Sequence, residues 1–390
     1  MTRPTLGIDL GTSGVRAVVL GGAGVLAARA ARVPSSDRHN PAALWAAVAG
    51  VLDGMDLSDV GALAVDGTSG TLLAVRADGI PVGGLSLYSD PGAAPARAAA
   101  MLARPAAARV LHEADWIAAQ FSGLFDVTDW NNALKTGFDP VALTWRSGAG
   151  LPRVVAPGTA LGQVTPAAAR RFGLPGDAVV AAGTTDGCAS FLGTGADRVG
   201  DGVTALGSTM TLKLLAGAPV SAPEWGIYSH RLPGAWLPGG ASNTGGAVLA
   251  QFFTPDQITA LSARIDPARP SACDFYPLPA PGERFPINDP ALLPRMTPRP
   301  PDDADFLHGL LEGMARIEAL GYRRLAEVGA PPLRRVLTTG GGAANPAWTA
   351  IRARILSVPV LAAEGDAVKG AAILARNALP APSPSGRGLG

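Results

Sequence analysis

The chain has 390 residues, and 32 Lys and Arg against 31 Asp and Glu leave a net charge of +1, with 47% hydrophobic residues. This balance lacks the basic excess of a nucleic-acid binder, and it lacks the low apolar content and high net charge of a disordered chain. The length fits two domains that each bury a core, and 50 Gly with 35 Pro, spread between apolar runs, read as many turns in an α/β protein.

In chain order, Thr5 to Leu10 predicts a strand, Gly11-Thr12-Ser13-Gly14 a tight turn and Val15 to Leu20 a second strand. Leu44 to Val51 has helical spacing, anchored by Trp45. Gly61 to Val65 reads as a buried strand ending at Asp66-Gly67-Thr68-Ser69-Gly70, with another strand over Thr71 to Val75. Helices are expected over Ala93–Leu102 and His112–Gly123. Ala178 to Ala182 is a short strand that runs into Gly183-Thr184-Thr185-Asp186-Gly187 and a helix over Cys188–Leu192. Gly202 to Leu206, the turn Gly207-Ser208-Thr209 and Met210 to Leu215 repeat the opening strand–turn–strand. A long helix follows over Asp305–Val328. The pattern then gives a strand (Arg334–Thr338), Gly340-Gly341-Gly342, a helix (Pro346–Leu356), a strand (Val358–Leu361) and a helix (Gly365–Ala378). The echo of the two hairpins implies two similar domains facing a cleft, 1–180 and 181–379, with a flexible tail over 380–390.

Cys188 and Cys273 are too few and too far apart for a disulfide framework. The chain passes from Met1 to Pro4 straight into a strand, and no apolar run reaches the length of a membrane span. The expectation is a cytoplasmic protein with no membrane and no nucleic-acid partner.

Chemistry enters at the turns. Small residues let successive backbone N–H groups close on an anion, and Thr and Ser hydroxyls add donors, so Gly11, Thr12 and Ser13, then Gly207, Ser208 and Thr209, are candidate phosphate cradles. The competing reading is a pair of ordinary hairpins. Asp9, at the end of the first strand, is the candidate holder of Mg²⁺. No Gly-x-x-x-x-Gly-Lys-Ser/Thr and no dinucleotide fingerprint occurs. Asp186 is either a helix cap or a base that takes the proton of an attacking hydroxyl. Asp66 and Ser69 lie in a polar strand end that suits a polyol, or else form a capped turn. Gly341 and Gly342, followed by Asn345, Pro346 and Trp348, read either as a strand–helix turn with Asn345 as cap or as a flat nucleobase slot walled by Trp348. The four histidines show no metal spacing and are taken as surface or packing residues. Cys188 reads as a small buried residue, and Lys135 as a loop residue or a wall of the sugar pocket. A glycosidase reading from the Asp pairs leaves the two phosphate-type turns unexplained.

The run Gly7-Ile8-Asp9-Leu10-Gly11-Thr12-Ser13-Gly14-Val15-Arg16 resembles the first phosphate motif of the FGGY carbohydrate kinases, which belong to the actin and hexokinase superfamily. Gly183 to Gly187 resembles the segment with the family's catalytic aspartate, Gly207 to Thr209 its second phosphate motif, and Gly340 to Ala343 its adenosine motif. Val368-Lys369-Gly370-Ala371-Ala372 resembles its closing helix. Within the family the likeness is to the short D-ribulokinases of cyanobacteria and plants, carried by Asp66 to Thr71, Asp129 to Lys135, Ser242 to Gly246 and Gly341 to Trp348. In Tyr88-Ser89-Asp90, Ser stands where that group usually has Asn.

The resemblance implies two actin-like (ribonuclease H-like) domains, ATP and Mg²⁺ as cofactors, and a ketopentose or polyol as the partner. It implies Asp186 as catalytic base, Asp9 and Thr12 at phosphate and metal, and Gly341, Gly342, Asn345 and Trp348 at adenine. Ser69 falls near a sugar contact. The expected activity is phosphorylation of the terminal hydroxyl of D-ribulose, with D-xylulose or another polyol as the alternative. A nucleotide- or sugar-binding sensor, or a slow ATPase, is the reading outside that class.

Overall fold

The computed structural model describes residues 2–146 and 150–379. The expected tail over 380–390 lies outside the described residues. The chain divides into two compact units, Met1–Gly193 with Ala367–Gly390, and Thr194–Asp366. This differs from a single boundary near 180. The helix that Asp186 opens stays with the first unit, and so does the last helix, after the chain has traversed the whole second unit.

In the first unit the strands are β1 (Thr5–Gly11), β2 (Gly14–Gly21), β3 (Gly24–Arg32), β4 (Ala62–Gly67), β5 (Leu72–Val75), β6 (Arg109–His112), β7 (Val127–Asp129), β8 (Phe138–Asp139), β9 (Thr144–Trp145), β10 (Arg153–Val155), β11 (Ala160–Gln163), β12 (Val179–Ala181) and β13 (Thr184–Thr185). Its helices are α1 (Pro41–Leu52), α2 (Ala94–Leu102), α3 (Glu113–Ser122), α4 (Trp130–Lys135), α5 (Pro166–Phe172) and α6 (Asp186–Gly193). The second unit holds β14 (Asp201–Leu206), β15 (Met210–Leu214), β16 (Tyr228–Leu232), β17 (Ala235–Ser242), β18 (Arg335–Thr339) and β19 (Val360–Ala362), with α7 (Gly246–Leu249), α8 (Pro255–Ser262), α9 (Asp303–Glu327) and α10 (Pro346–Leu356). The closing helix is α11 (Ala367–Ala375).

The main sheet of the first unit runs β11-β12-β4-β1-β2-β3, with β13 also on β4. Strands β12, β4 and β1 are parallel, and β2 and β3 continue antiparallel. The second sheet runs β16-β17-β15-β14-β18-β19, with β19, β18 and β14 parallel and β15 and β17 antiparallel. The two sheets therefore share one strand plan, as the repeated hairpin implied. Parallel strands need helical covers on both faces, which is why β1 and β4 are apolar and buried along their length. Helix α11 supplies one cover. It packs so closely on β1 that a Cβ on Gly7 would lie 2.2 Å from the Val368 carbonyl oxygen, and the Thr5 hydroxyl donates to the Ala372 carbonyl at 2.7 Å. On the other face, Leu6, Ile8, Val48, Leu63, Val65, Ile117 and Phe121 join one core. The second unit's core gathers on α9, whose caps and amphipathic run place Phe306, Leu310, Met314 and Ile317 against Leu212 and Phe285.

Strand β3 was not expected, because Gly24–Arg32 is mostly exposed and rich in Ala and Arg, so it lacks the alternation of a half-buried strand.

Candidate active site

In the first unit, polar residues collect at the carboxyl ends of β1, β4 and β13, where α/β sheets meet ligands. Asp9 on β1 pairs in register with Asp66 on β4, and Thr184 on β13 flanks Asp66 from the other side. Asp186 follows two residues later as the first residue of α6 and is half-buried. Its Oδ1 accepts the Gly187 backbone N–H at 2.7 Å. Three sequence-predicted carboxylates are thus brought together.

They are held differently. Asp9 is 1% exposed, and its Oδ2 accepts from Arg16 Nε at 2.8 Å and Nη2 at 2.7 Å. Asp66 is fully buried, and its carboxyl has no partner beyond the Asp9 carboxyl beside it. Burial pushes its carboxyl well above the ordinary range, and the neighbouring Asp9 and Asp186 charges push it further. Among the described residues, no three His, Cys, Asp or Glu form a metal-ligating group. The donor set still fits a hard cation, which needs only one or two carboxylates when phosphate and water complete its shell.

The loop after β4 is tied down by a residue the sequence reading passed over. Glu113, at the start of α3, accepts the Thr68 backbone N–H at 2.7 Å and the Thr68 hydroxyl. Burial pushes Glu113 up to about 7 against the lowering effect of those two bonds, while Arg38 lowers it and Asp186 raises it. Thr68 and Thr71 share a hydroxyl hydrogen bond at 2.7 Å, and the Tyr88 N–H donates to the Thr71 hydroxyl at 3.2 Å. Ser69, in the same loop, has a buried Oγ without a partner. Arg97 clamps the facing segment by donating to the carbonyls of Gly70, Ser86, Leu87 and Gly92. In Tyr88-Ser89-Asp90, the Asp90 carboxylate closes the turn on the Leu87 N–H at 2.9 Å.

The polar segment around α4 completes this end. Asp129 caps α4 through the Asn131 N–H at 2.8 Å and accepts Asn132 Nδ2 at 2.6 Å. Burial pushes Asp129 up to about 6, and nearby Asp115 is raised by burial and by the Asp129 charge. Asn131 Nδ2 donates to the Thr184 hydroxyl at 3.0 Å, which links α4 to β13 and so to the strand that precedes Asp186. Lys135 ends α4 half-buried. His112 ends β6 and is 3% exposed, a core position rather than a surface one.

The first turn, Gly11-Thr12-Ser13, is open, with Thr12 and Ser13 exposed. A Cβ on Gly11 would meet nothing closer than 3.7 Å. The second turn, in the second unit, is equally open. Gly207 and Ser208 are exposed, and a Cβ on Gly207 would meet only the Thr209 carbonyl at 3.7 Å. Behind it, the N–H groups of Gly246 and Ala247 donate to the carbonyls of Gly207 and Ser208 at 2.8 and 3.0 Å. The fold by itself does not require glycine at Gly11 or Gly207.

The expected adenine pocket needs correction in part. Trp348 is 3% exposed and belongs to the core under the loop, where a Cβ on Gly342 would strike its ring at 2.6 Å. It is a floor, not an open wall. Asn345 acts as the cap of α10, accepting the Trp348 N–H at 3.0 Å, and its Nδ2 donates to Ser262 Oγ at 2.8 Å. Gly341 alone faces open space. A separate cavity of about 370 Å³ in this unit is lined by Tyr228, Ala241, Arg284 and Asn288 and contains none of the predicted residues.

Residues 200–379 match the FGGY family of carbohydrate kinases, C-terminal domain. In fold the chain is similar to a xyloylose kinase from Brucella ovis, at 22% identity and a TM-score of 0.84 over 95% of this chain and 89% of that one. It is similar to a gluconate kinase from Lactobacillus acidophilus, at 16% identity and a TM-score of 0.82 over 96% and 89%. It is also similar to a xylulose kinase from Rhodospirillum rubrum, at 24% identity and a TM-score of 0.78 over 96% and 89%. The fold is that of two actin-like domains.

Proposed function

We propose that this carbohydrate kinase transfers the γ-phosphate of ATP to the terminal hydroxyl of D-ribulose in the cytoplasm, giving D-ribulose 5-phosphate, with Asp186 as general base. The observation that carries the reading is the meeting of Asp9, Asp66 and Asp186 at the carboxyl end of the parallel strands, with Asp66 buried and without a partner beyond Asp9.

Such a transfer asks for positioning and charge placement more than covalent chemistry. Asp186, half-buried and fixed by the Gly187 N–H through one oxygen, takes the proton of the sugar hydroxyl. The hydroxyl oxygen forms a bond to the γ-phosphorus, the bond to the bridging oxygen breaks, and ADP leaves with that electron pair. The proton then passes from Asp186 to solvent. Backbone N–H groups at Gly11 to Ser13 and at Gly207 to Thr209 are the candidate donors to phosphate oxygens. Mg²⁺, when bound, neutralises phosphate charge, and Asp9 and Asp66 are the carboxylates that would hold it. The loop of Asp66 to Thr71, pinned by Glu113, and the α4 segment, tied to Thr184, hold the sugar. These are the two segments of the first unit with the ribulokinase likeness.

A second reading is D-xylulose or another polyol, favoured by the names of the similar solved structures, which act on xylulose and gluconate. ADP release measured over a panel of ketopentoses, polyols and sugar acids separates the two. D-ribulose giving the highest kcat/KM is the expected result, and another sugar leading by tenfold replaces it. ATP binding with no sugar-dependent ADP would instead make the protein a sensor or slow ATPase.

A further inference from the structure

Burying a polar group without a hydrogen bond is costly, so native structures hold few such groups and each calls for an explanation. Among the described residues, the buried side-chain atoms without a partner include both ring nitrogens of His112. No other side chain apart from Asp66 leaves two such atoms unpaired, and Asp66 already has a place beside Asp9 and Asp186.

His112 is fixed through its backbone and stands at the N-cap of α3. Its backbone pairs with Leu72 between β6 and β5, and its N–H donates to Asp115 Oδ2 at 3.3 Å. The next residue, Glu113, holds the Thr68 N–H, and Ser69 with its unpaired Oγ follows directly. Asp115 lies against the Asp129 charge, and Asp129 holds Asn132, whose Oδ1 is also buried and unpaired. A leucine at this position would fill the space without the penalty. The ring is neutral: burial lowers its pKa to about 3, and the charges of Lys135 and Arg97 lower it further. A neutral imidazole offers one donor and one acceptor, which is the pair needed to read a hydroxyl.

We propose that His112 is a specificity-determining residue that hydrogen-bonds a hydroxyl or carbonyl oxygen of the bound sugar and selects among stereoisomers. The proposal rests on the sugar-kinase reading above. A site built to hydrogen-bond a hydroxyl rejects an isomer that places it elsewhere, because the buried partner is then left unpaired.

Two measurements test it. In the first, ADP release gives kcat and KM for the best sugar and its epimers in the wild type, His112→Gln and His112→Leu. The expected result for H112L is a rise of at least about 30-fold in sugar KM and a preference between epimers that shrinks to a few-fold, with ATP KM within about twofold. H112Q, which keeps a donor and an acceptor, recovers part of the loss. A folded H112L with wild-type sugar KM and epimer preference overturns the proposal. In the second, ¹⁵N spectra of the imidazoles in the wild type follow addition of the same sugars, which avoids any question of folding. Binding is expected to move the His112 nitrogens and fix one tautomer. A sugar that binds and leaves them unmoved overturns the assignment, as does a panel in which none binds. If sugars bind and perturb His112 but never raise ADP release, the kinase reading fails while the contact stands.

Discussion

Two groups of buried polar side chains, one in each unit, are held in different ways. In the second unit, Arg352 and Glu318, at 1% and 0% exposure, pair at 2.6 and 2.7 Å; the Thr204 hydroxyl also donates to Glu318 Oε1 at 2.5 Å, and Arg352 Nη1 donates to the Thr338 hydroxyl at 2.8 Å. Glu283 likewise accepts from the Ser242 hydroxyl and from the N–H groups of Asn243 and Arg284. In the first unit, Asp66 and His112 are as deeply buried and are left unsatisfied. A closed set of partners marks charge that holds the fold together. On the proposed reading, an open set is polar surface that the fold keeps for a ligand.

Substitutions can break this contrast. The largest expected effect is at Asp186, where replacement by Ala lowers kcat with the best sugar by about 10²–10⁴ and leaves the melting temperature near that of the wild type. Near-normal turnover would remove the base assignment. Next comes the closed set. Arg352→Ala leaves Glu318 buried and unpaired, so unfolding in denaturant should show a loss of about 3–5 kcal/mol, whereas the double change R352M/E318L loses much less. Equal losses in both would mean that the pair is not the reason the region is stable.

Glu113 gives a pH test. Its folded-state pKa, about 7, stands above the ordinary value of 4.5, so the folded form binds the extra proton. The stability this adds is complete below about 4.5 and disappears as pH rises through about 7. Relative to Glu113→Gln, the wild type should therefore lose on the order of 3 kcal/mol between about pH 4 and about pH 8. Parallel stability curves for the two proteins would sink the claim. The smallest effect is at the turns. Gly11→Ala and Gly207→Ala should melt like the wild type, since a methyl fits in both places, yet raise ATP KM about tenfold if phosphate lies against the backbone. Gly183→Ala is the control, because its Cβ would sit 1.7 Å from the Val65 carbonyl oxygen and the fold must give way.

The hairpins and the Asp186 segment were legible because glycine and hydroxyl residues at a strand end leave a local signature. The repeated strand plan followed from the echo between the two hairpins. Glu113 and His112 were not legible. A charged pair between a strand and a helix looks like a surface boundary, and only the pairing of β5 with β6 and the packing of α3 bury it. Trp348 was left open between two readings for a related reason: an aromatic near three glycines fits a ligand slot or a packed floor equally well, and only its burial tells them apart. The boundary near 180 missed because the return of a distant helix leaves no trace in local composition.

That returning helix sets an order of assembly. The second unit is one uninterrupted stretch of chain set within the first, so during synthesis everything it requires has emerged before residue 367. The first unit waits longest, since β1 is among the earliest elements made and its cover, α11, is among the last. Until then β1 lacks that cover along Thr5 and Gly7. A fragment stopped before Ala367 should thus yield a folded second unit and a first unit prone to aggregate.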